Sequence, residues 1–129
     1  MDINAKLAIG NTEGVGVLKC NYTLRRDIDI KGRPSSGVYG GIINLTIVST
    51  EDTSLIELMV NAYKTIEGTV TFQNTENKIL KVLAWEKGYI ISFKEELDIT
   101  NANHMVIDFT ISAEKIKIGN AIHDNGWPR

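Results

Sequence analysis

The chain has 129 residues, a mass of 14.3 kDa and a formal net charge of -2. This is the size of one ordinary domain, so we expect a single folded unit over residues 1–129 with one hydrophobic core. The 14 basic and 16 acidic residues give no overall positive field, which excludes the wrapping of duplex nucleic acid as the main role. The longest apolar runs fall far short of the roughly 20 residues that span a bilayer, so we expect no membrane insertion.

Branched side chains dominate the composition, because isoleucine, valine and threonine account for 37 of the 129 residues. These side chains suit the pleated surface of a sheet, so we expect a mostly β protein. Alternation of apolar and polar residues with a period of two predicts strands at residues 3–9, 15–30, 39–50, 66–74, 79–86, 89–97 and 104–118.

The predicted strands differ in which of their faces are apolar. The strand 15–30 has one apolar face, with Arg26 as the exception, which predicts that this face is buried. In 104–118 the alternation changes phase near Glu114, which predicts a bulge or a break there. The strands 79–86 and 89–97 carry apolar residues on both faces in places, so we expect something to cover the second face.

One helix is predicted between the strands 39–50 and 66–74. Asp52 is a suitable N-cap, and an apolar stripe with helical spacing follows at Leu55, Ile56, Met59, Val60 and Tyr63. About seven strands and one short helix in a chain of this length are typical of a mainly β fold, a small barrel or sandwich with the helix on one face or end.

Few residues could carry chemistry. The two histidines, His104 and His123, and the single cysteine, Cys20, do not have the spacing of zinc ligands. Cys20 lies on the apolar face of a predicted strand, where a thiol is a core side chain rather than a nucleophile. The glycine-rich segments do not open a helix after a strand, as a phosphate-binding loop does. We therefore expect no catalytic residue, no metal site and no bound cofactor.

The segment 31–41, KGRPSSGVYGG, joins two strongly patterned strands and is far longer than a hairpin turn requires. We expect this segment to project. Long ordered loops between strands are usually functional, and Arg33, Val38 and Tyr39 offer a basic, an apolar and an aromatic contact group. The alternative is a flexible surface loop, since glycine and serine also favour disorder.

This segment is part of a longer run, YTLRRDIDIKGRPSSGVYGG at 22–41, which is followed by STEDTS at 49–54. Together with FTISA at 109–113, KIGN at 117–120 and NGWP at 125–128, these motifs resemble the tube protein of bacterial type VI secretion systems, the Hcp (TssD) family. The resemblance covers almost the whole chain. It implies a small β-barrel of two packed antiparallel sheets with one short flanking helix.

In that family, hexameric rings stack into a hollow tube, which lies inside a contractile sheath in the cytoplasm and carries a spike protein at its tip. Sheath contraction expels the tube, and some members carry effector proteins in the lumen. The first residues of this chain lack the basic region and apolar run of a secretory signal. The resemblance therefore implies a structural, non-enzymatic tube subunit that is released without a signal peptide into the medium or a target cell.

The resemblance also implies which residues make contacts. The family's projecting loop is used between subunits and between stacked rings, and it corresponds to Gly32, Arg33, Pro34, Ser35, Ser36, Gly37, Val38, Tyr39, Gly40 and Gly41. A second candidate contact is the tail at Trp127 and Pro128. A tryptophan near the end of a chain packs either on its own barrel or on a neighbour.

Two other functions fit part of this pattern. The tail tube of a phage or of another contractile injection machine shares the architecture, and neighbouring genes for capsid or tail completion would favour it. A small-ligand-binding barrel is the alternative from another class. We expect the interior of so small a barrel to be filled by side chains such as Tyr22, Leu24, Phe93 and Phe109, which argues against a ligand cavity.

Overall fold

The computed structural model describes residues 3–10, 12–61, 63–102 and 105–127, which form a mainly β fold. Its elements in chain order are β1 (Ile3–Ile9), β2 (Thr12–Tyr22), β3 (Ile42–Val48), α1 (Ser54–Val60), β4 (Ile66–Asn74), β5 (Ile79–Leu97), β6 (Met105–Ile118) and β7 (Ala121–Asp124). The expected fold class, with one short helix among the strands, is confirmed.

The strands form a closed barrel. Antiparallel neighbours are hydrogen-bonded in the order β3, β2, β1, β4, β5, β6, β7, and β3 also pairs with β6. This additional pairing, which runs from Ile42↔Ser112 to Val48↔Val106, closes β1 to β6 into a barrel, while β7 extends the sheet beside the second half of β6. The expected barrel is confirmed, and the two expected sheets are joined into one continuous sheet.

Period-two alternation predicts both ends of β1 and of β4 correctly. The predicted strands 79–86 and 89–97 form one strand, β5, so the predicted interruption between them is wrong. Lys87 has a left-handed backbone conformation, with φ 52°, yet the next residue, Gly88, is again paired with β6. β5 stays continuous because β6 runs beside it without a break.

The phase change predicted in β6 is confirmed, but it involves neither a bulge nor a break. Alternate residues from Ile107 to Ala113 are buried, and beyond Glu114 the buried residue is Ile116. The register with β5 stays constant at this point, because β5 changes its inward-facing side at Lys87, directly opposite. The inward-facing side thus changes at the same level in both strands. At this level the Lys87 ammonium lies 3.5 Å from the buried Glu114 carboxylate.

The strand predicted over 15–30 ends at Tyr22, and beyond it the chain makes only isolated bridges to the segment before β3. The prediction of a buried face is wrong there, since Ile28 and Ile30 are 67% and 102% exposed. The cause is a lack of cover, because a strand face is buried only where a second layer packs against it. The strand predicted over 39–50 is correspondingly shorter than expected.

Helix α1 begins after Thr53, which takes the N-cap position predicted for Asp52. The Asp52 carboxylate instead accepts hydrogen bonds from the Ser54 N–H group, at 2.8 Å, and from the Thr12 hydroxyl. These two bonds connect the start of the helix to the start of β2.

The buried face of α1 consists of Leu55 and Leu58. The predicted stripe is wrong beyond Leu55, because the remaining members are exposed: Ile56, Met59, Val60 and Tyr63. The helix ends after seven residues, and only Leu55 and Leu58 belong to the barrel's core cluster, so its contact is too narrow to cover the whole stripe. In the part of the chain that the structure describes, no helix is long and apolar enough to cross a membrane.

The barrel interior is filled by side chains with almost no exposure: Trp85, Phe109, Leu7, Ile43, Leu45, Ile47, Leu83, Ile111, Ile116 and Val70. The Trp85 ring fits because Gly68 and Gly88 lie against it, where a Cβ would come within 2.5 and 2.8 Å of ring atoms. The indole N–H donates to the Ile66 carbonyl at 3.2 Å. An interior filled in this way favours a structural role over a small-ligand-binding barrel.

Four side chains were expected inside the barrel. Phe109 is buried there, while Tyr22 and Phe93 are half-buried and pack against the core from its margin. Leu24 is 43% exposed and covers Gly40, so its expected position is wrong. The reason is that β2 ends before Leu24 is reached.

Replacing Gly88 by alanine is expected to destabilise the barrel. The new Cβ would lie 2.7 Å from Ile111 Cγ2 and 2.8 Å from Trp85 Cδ1, so interior side chains would have to shift. Over-packing of this kind costs about 1–3 kcal/mol of unfolding free energy, which urea denaturation measures. Gly16→Ala is the matched control, since its Cβ would meet only Val48 Cγ2 at 3.7 Å. Equal stability of the two variants would contradict the prediction.

The Cys20 thiol is expected to react slowly with Ellman's reagent in the folded protein. It packs against the core, and burial raises the pKa of the thiol to about 11. The reactive thiolate is therefore scarce near neutral pH, whereas an ordinary cysteine has a pKa of about 8.5. Unfolding in urea should accelerate the reaction strongly at the same pH. A folded protein that reacts as fast as the unfolded chain would show that Cys20 is accessible.

Candidate functional site

Residues 23–41 leave the barrel between β2 and β3 and form an irregular β-hairpin, termed the arm. Backbone hydrogen bonds of 2.7 to 3.0 Å join its two sides at three levels: Arg25 with Tyr39, Asp27 with Ser35, and Asp29 with Arg33. These bonds give the arm a defined conformation, which favours a contact element over a flexible loop.

The tip of the arm is a tight turn organised by Asp29. Its carboxylate accepts hydrogen bonds from the backbone N–H groups of Lys31 and Arg33, at 2.9 and 3.0 Å, and lies 3.1 Å from Arg33 Nε. Gly32, at φ 82°, donates to the Asp29 carbonyl at 3.0 Å. The backbone bond from Arg33, with those from Lys31 and the Arg33 side chain, holds the pKa of Asp29 below its ordinary value of 3.8. The charged carboxylate therefore stabilises the turn.

The same turn joins β4 to β5, where Asn74 takes the place of Asp29. Asn74 Oδ1 accepts hydrogen bonds from the N–H groups of Glu76 and Lys78, at 2.9 and 3.0 Å. Asn77, at φ 63°, occupies the left-handed position that such short hairpin loops require. The arm tip is thus formed by local turn chemistry that the chain uses twice.

The arm presents apolar, aromatic and charged groups to its surroundings. Ile28 and Ile30 are strongly exposed and have no cover within the described chain. The Arg25 guanidinium lies 4.6 Å from the centre of the Tyr39 ring and 3.0 Å from the Asp27 carboxylate. Exposed apolar side chains on an ordered element are typical of an interaction surface.

The predicted contact residues 32–41 divide between the surface and the root of the arm. Arg33 and Tyr39 are exposed, Val38 is half-buried and Gly41 is buried. The prediction thus describes one side of the hairpin, which carries an exposed charged group and an exposed aromatic group.

The exposed isoleucines on the other side of the arm do not stand out in the sequence. The alternation assigns Ile28 and Ile30 to a buried strand face, which hides their exposure. Asp29 followed by Gly32 is the signal that could have found them, because this spacing is typical of a hairpin turn. A turn at this place would have ended the predicted strand before its tip.

The root of the arm is fixed by residues around β7, a strand too short for the alternation to predict. Asn125 Nδ2 donates hydrogen bonds to the carbonyls of Gly40 and Ala113, at 3.0 and 3.1 Å. Gly41, at φ 99°, lies so close to β6 that a Cβ would be 2.5 Å from the Ala113 carbonyl oxygen. The His123 ring lies 2.8 Å from Asn125 Oδ1. These contacts anchor the arm to the barrel.

Trp127 packs on its own barrel. Its ring centre is 5.8 Å from that of Tyr89, with the ring planes inclined at 36°. Of the two alternatives for this tryptophan, a contact with its own barrel is therefore observed. Pro128, the other predicted tail residue, lies outside the described residues.

The other residues considered for chemistry do not form a site. Cys20 is half-buried in β2, His123 contacts Asn125, and His104 lies outside the described residues. Throughout the ranges that the structure describes, no three His, Cys, Asp or Glu side chains are grouped as metal ligands would be. The arm is therefore the candidate functional site, and its groups are suited to contact with protein.

A second surface feature is a polar face on the outside of β2, β3, β6 and β5. Asn44 Nδ2 donates to Asn21 Oδ1 at 2.9 Å, and Asn44 Oδ1 accepts from the Thr110 hydroxyl at 2.8 Å. Lys94 of β5 lines the same shallow groove. The amide and hydroxyl groups are hydrogen-bonded to one another, and the Lys94 ammonium lies 3.2 Å from the Glu96 carboxylate, so the polar face is suited to contact with water.

The chain matches the family described as "Hemolysin coregulated protein Hcp (TssD)" over residues 1–128. It is similar to the structure of Hcp1 from Flavobacterium johnsoniae, with 33% sequence identity and a TM-score of 0.88, over 95% of this chain and 99% of that chain. No curated protein sequence matches it.

More distant structures share the fold. Hcp1 from Salmonella typhimurium has a TM-score of 0.73 at 9% identity, over 92% of this chain and 86% of that chain. The sheath–tube complex of an extracellular contractile injection system, PVC, has a TM-score of 0.53 at 16% identity, over 91% and 88% of the two chains. The family match along nearly the whole sequence and the likeness to the Flavobacterium johnsoniae protein show that this chain belongs to the Hcp (TssD) family, the tube subunits of type VI secretion systems.

Proposed function

We propose that this tube subunit assembles into hexameric rings that stack into a hollow tube. The observation that carries the proposal is the arm, an anchored hairpin that exposes Ile28 and Ile30 to solvent. When a partner covers an apolar surface on a rigid element, the surface is removed from water and the free energy of the complex is lowered. The arm, including residues 32–41, is expected to make contacts between subunits and between rings.

A ring suits an interface of this kind. The arm of one subunit differs from the surface that it contacts on the next, so the interface is heterologous. A heterologous interface closes into a ring when the rotation between neighbours allows it. The net charge of -2 adds little repulsion between copies.

We further propose that the polar face lines the lumen of the ring. Its amide and hydroxyl side chains are already hydrogen-bonded to one another, so they need no cargo protein as a hydrogen-bond partner. A channel filled with water alone suits them equally well. Effector proteins carried in the lumen would meet a hydrated surface with few apolar contacts. Such a surface favours release of the cargo after transport.

The sheath and the spike of the secretion machine are the other proposed partners. One of the structures that share the fold belongs to a sheath–tube complex, which supports a sheath as the outer neighbour of the tube. In this proposal the chain lies inside the sheath in the cytoplasm and leaves the cell when the sheath contracts.

The tail tube of a phage or of another contractile injection machine is the second candidate, and the same structural similarity favours an injection machine. Neighbouring genes distinguish the two. Genes for the type VI membrane complex support the first proposal, whereas capsid or tail-completion genes support the second.

The native mass is expected to be that of a hexamer of the 14.3 kDa chain, measured by light scattering after size exclusion. Deletion of residues 35–38 removes the bond between the Ser35 N–H group and the Asp27 carbonyl, so it should impair stacking while circular dichroism shows an intact barrel. A wild-type protein that stays monomeric at every concentration, and is absent from the medium of cells with an active machine, would refute the proposal.

Asp29→Ala is expected to reduce assembly, because it removes the acceptor that holds the arm tip. The barrel should stay folded, since the bonds of the Asp29 carboxylate are confined to the arm. Asn74→Ala is the matched control, as it removes the equivalent acceptor from the β4–β5 turn. Sedimentation and negative-stain microscopy measure tube formation. If both variants assemble equally well, the order of the arm tip is not needed for assembly.

A further inference from the structure

The segment after β7 contains the chain's one Asn-Gly pair, Asn125–Gly126. The backbone nitrogen that follows an asparagine can attack the side-chain amide, and this reaction converts the asparagine into an aspartate. Glycine hinders the attack least, because it has no Cβ and its backbone takes conformations that other residues resist. The pair is therefore the place where the sequence most favours the loss of an amide group.

The structure holds the side-chain amide of Asn125 at both of its ends. Nδ2 donates hydrogen bonds to the carbonyls of Gly40 and Ala113, at 3.0 and 3.1 Å. Oδ1 lies 2.8 Å from the His123 ring nitrogen Nε2, which must carry a proton to donate to it, because an amide oxygen only accepts. The amide cannot turn towards the next peptide nitrogen without breaking these bonds.

The attacking nitrogen is engaged as well. The Gly126 N–H group donates to the Asp124 carboxylate at 2.8 Å. On the other side of the pair, the Asn125 N–H group donates to the Glu114 carbonyl, also at 2.8 Å. Nucleophilic attack requires the two reacting atoms to be aligned and in contact, and these bonds hold the nitrogen and the amide to other groups. The docked segment thus protects the Asn-Gly pair.

The Asn125 amide also joins the arm to the barrel. Gly40 belongs to the arm and Ala113 to β6, so carbonyl oxygens from two elements converge on Nδ2. The adjacent Gly41 carbonyl accepts a hydrogen bond from the Ala113 N–H group at 2.8 Å, which keeps the two elements together. A carboxylate in place of the amide has no hydrogen to donate, and one of its oxygens would face both carbonyl oxygens. Like partial charges would then replace two hydrogen bonds at the arm root.

We propose that Asn125 is a site of deamidation, protected while the segment after β7 is docked, and that its reaction releases the root of the arm. The reaction requires the segment to detach. The Gly126 nitrogen then gives its proton to solvent and bonds to Asn125 Cγ, the Cγ–Nδ2 bond breaks, and Nδ2 leaves as ammonia with a proton from solvent. Water opens the resulting succinimide, which leaves aspartate or isoaspartate at position 125.

Deamidation would act in one direction. The new carboxylate cannot restore the two bonds that Nδ2 donated, so the arm root stays open after the segment has docked again. The arm would lose order first at the level nearest its root, where Arg25 and Tyr39 exchange backbone hydrogen bonds of 3.0 and 2.7 Å. A loss of tube formation would follow only through the arm contacts of the proposed function, and this consequence rests on that proposal.

The rate of deamidation tests the protection. Purified protein is incubated at neutral pH, either folded or in urea, and digested with trypsin, and mass spectrometry measures the fraction of asparagine converted at position 125. The folded protein is expected to react at least about tenfold more slowly, because three hydrogen bonds must break before the attack. A folded protein that reacts as fast as the unfolded chain would overturn the proposal.

Variants of Trp127 test whether detachment controls the rate. The Trp127 ring centre lies 5.8 Å from that of Tyr89, and this contact holds the segment on the barrel. Trp127→Ala should therefore accelerate deamidation of the folded protein. Trp127→Phe is the matched control, since it keeps an aromatic contact and should react like the wild type. Circular dichroism checks that the barrel is folded in both, and equal rates for the two variants would contradict control by detachment.

Asn125→Asp reproduces one product and tests the release of the arm. Hydrogen exchange at the Arg25 and Tyr39 amides should become about tenfold faster, because opening of the root frees the first level of the arm. Asn120→Asp is the matched control, since it adds the same charge at an exposed position in the turn between β6 and β7. Asn125→Ala removes the two donor bonds without adding a charge and should also accelerate exchange, which keeps the test decisive if the first variant does not fold.

The outcomes separate the release of the arm from assembly. Unchanged exchange in the arm of both Asn125 variants would overturn the release, whatever the oligomeric state. Faster exchange together with lost tube formation would support both proposals. Faster exchange with normal tube formation would support the release and count against the arm as a contact between copies.

Discussion

The pairing of β3 with β6 is the contact on which the rest of the molecule depends. It runs over the whole of β3 and turns an open sheet into a closed barrel. Since β3 is also paired with β2, both strands that carry the arm are held by ladders of hydrogen bonds. A hairpin with both ends fixed presents its tip in a defined direction, whereas a loop on a free edge samples many. Barrel closure, core packing and the position of the arm are thus parts of one arrangement.

Most of the fold follows from period-two alternation, because most strands have one face against the barrel's own core. It gives both ends of β1 and of β4 correctly. The alternation fails at Ile28 and Ile30, which continue the apolar pattern of β2 into the arm, where the described chain provides no second layer. The helical pattern fails in the same way at Val60 and Tyr63 beside α1. An apolar pattern indicates that side chains favour burial, but it does not indicate which chain covers them.

About half of the candidate site could be predicted from the sequence. Loop length and composition identify residues 32–41, among which Arg33 is exposed. To predict the opposite side of the arm, the turn from Asp29 to Gly32 must first be recognised. The strong strand pattern around it concealed this turn. The anchoring bond from Asn125 could not be predicted, because it reaches a carbonyl 85 positions earlier in the chain. Only the closed barrel brings those segments together.

The length of the arm can change independently of the barrel, because the two sides of the arm are joined by separate levels of hydrogen bonds. The Asp29 turn closes on itself, and the next levels toward the barrel follow at Asp27 and Arg25, two residues apart each time, while their partners on the returning side are Ser35 and Tyr39, four residues apart. Adding or removing two residues on each side would keep every side chain on its own face and move the tip by about 7 Å. The distance at which the arm reaches a neighbour is therefore set in discrete steps, and it can diverge between related proteins while the barrel stays the same.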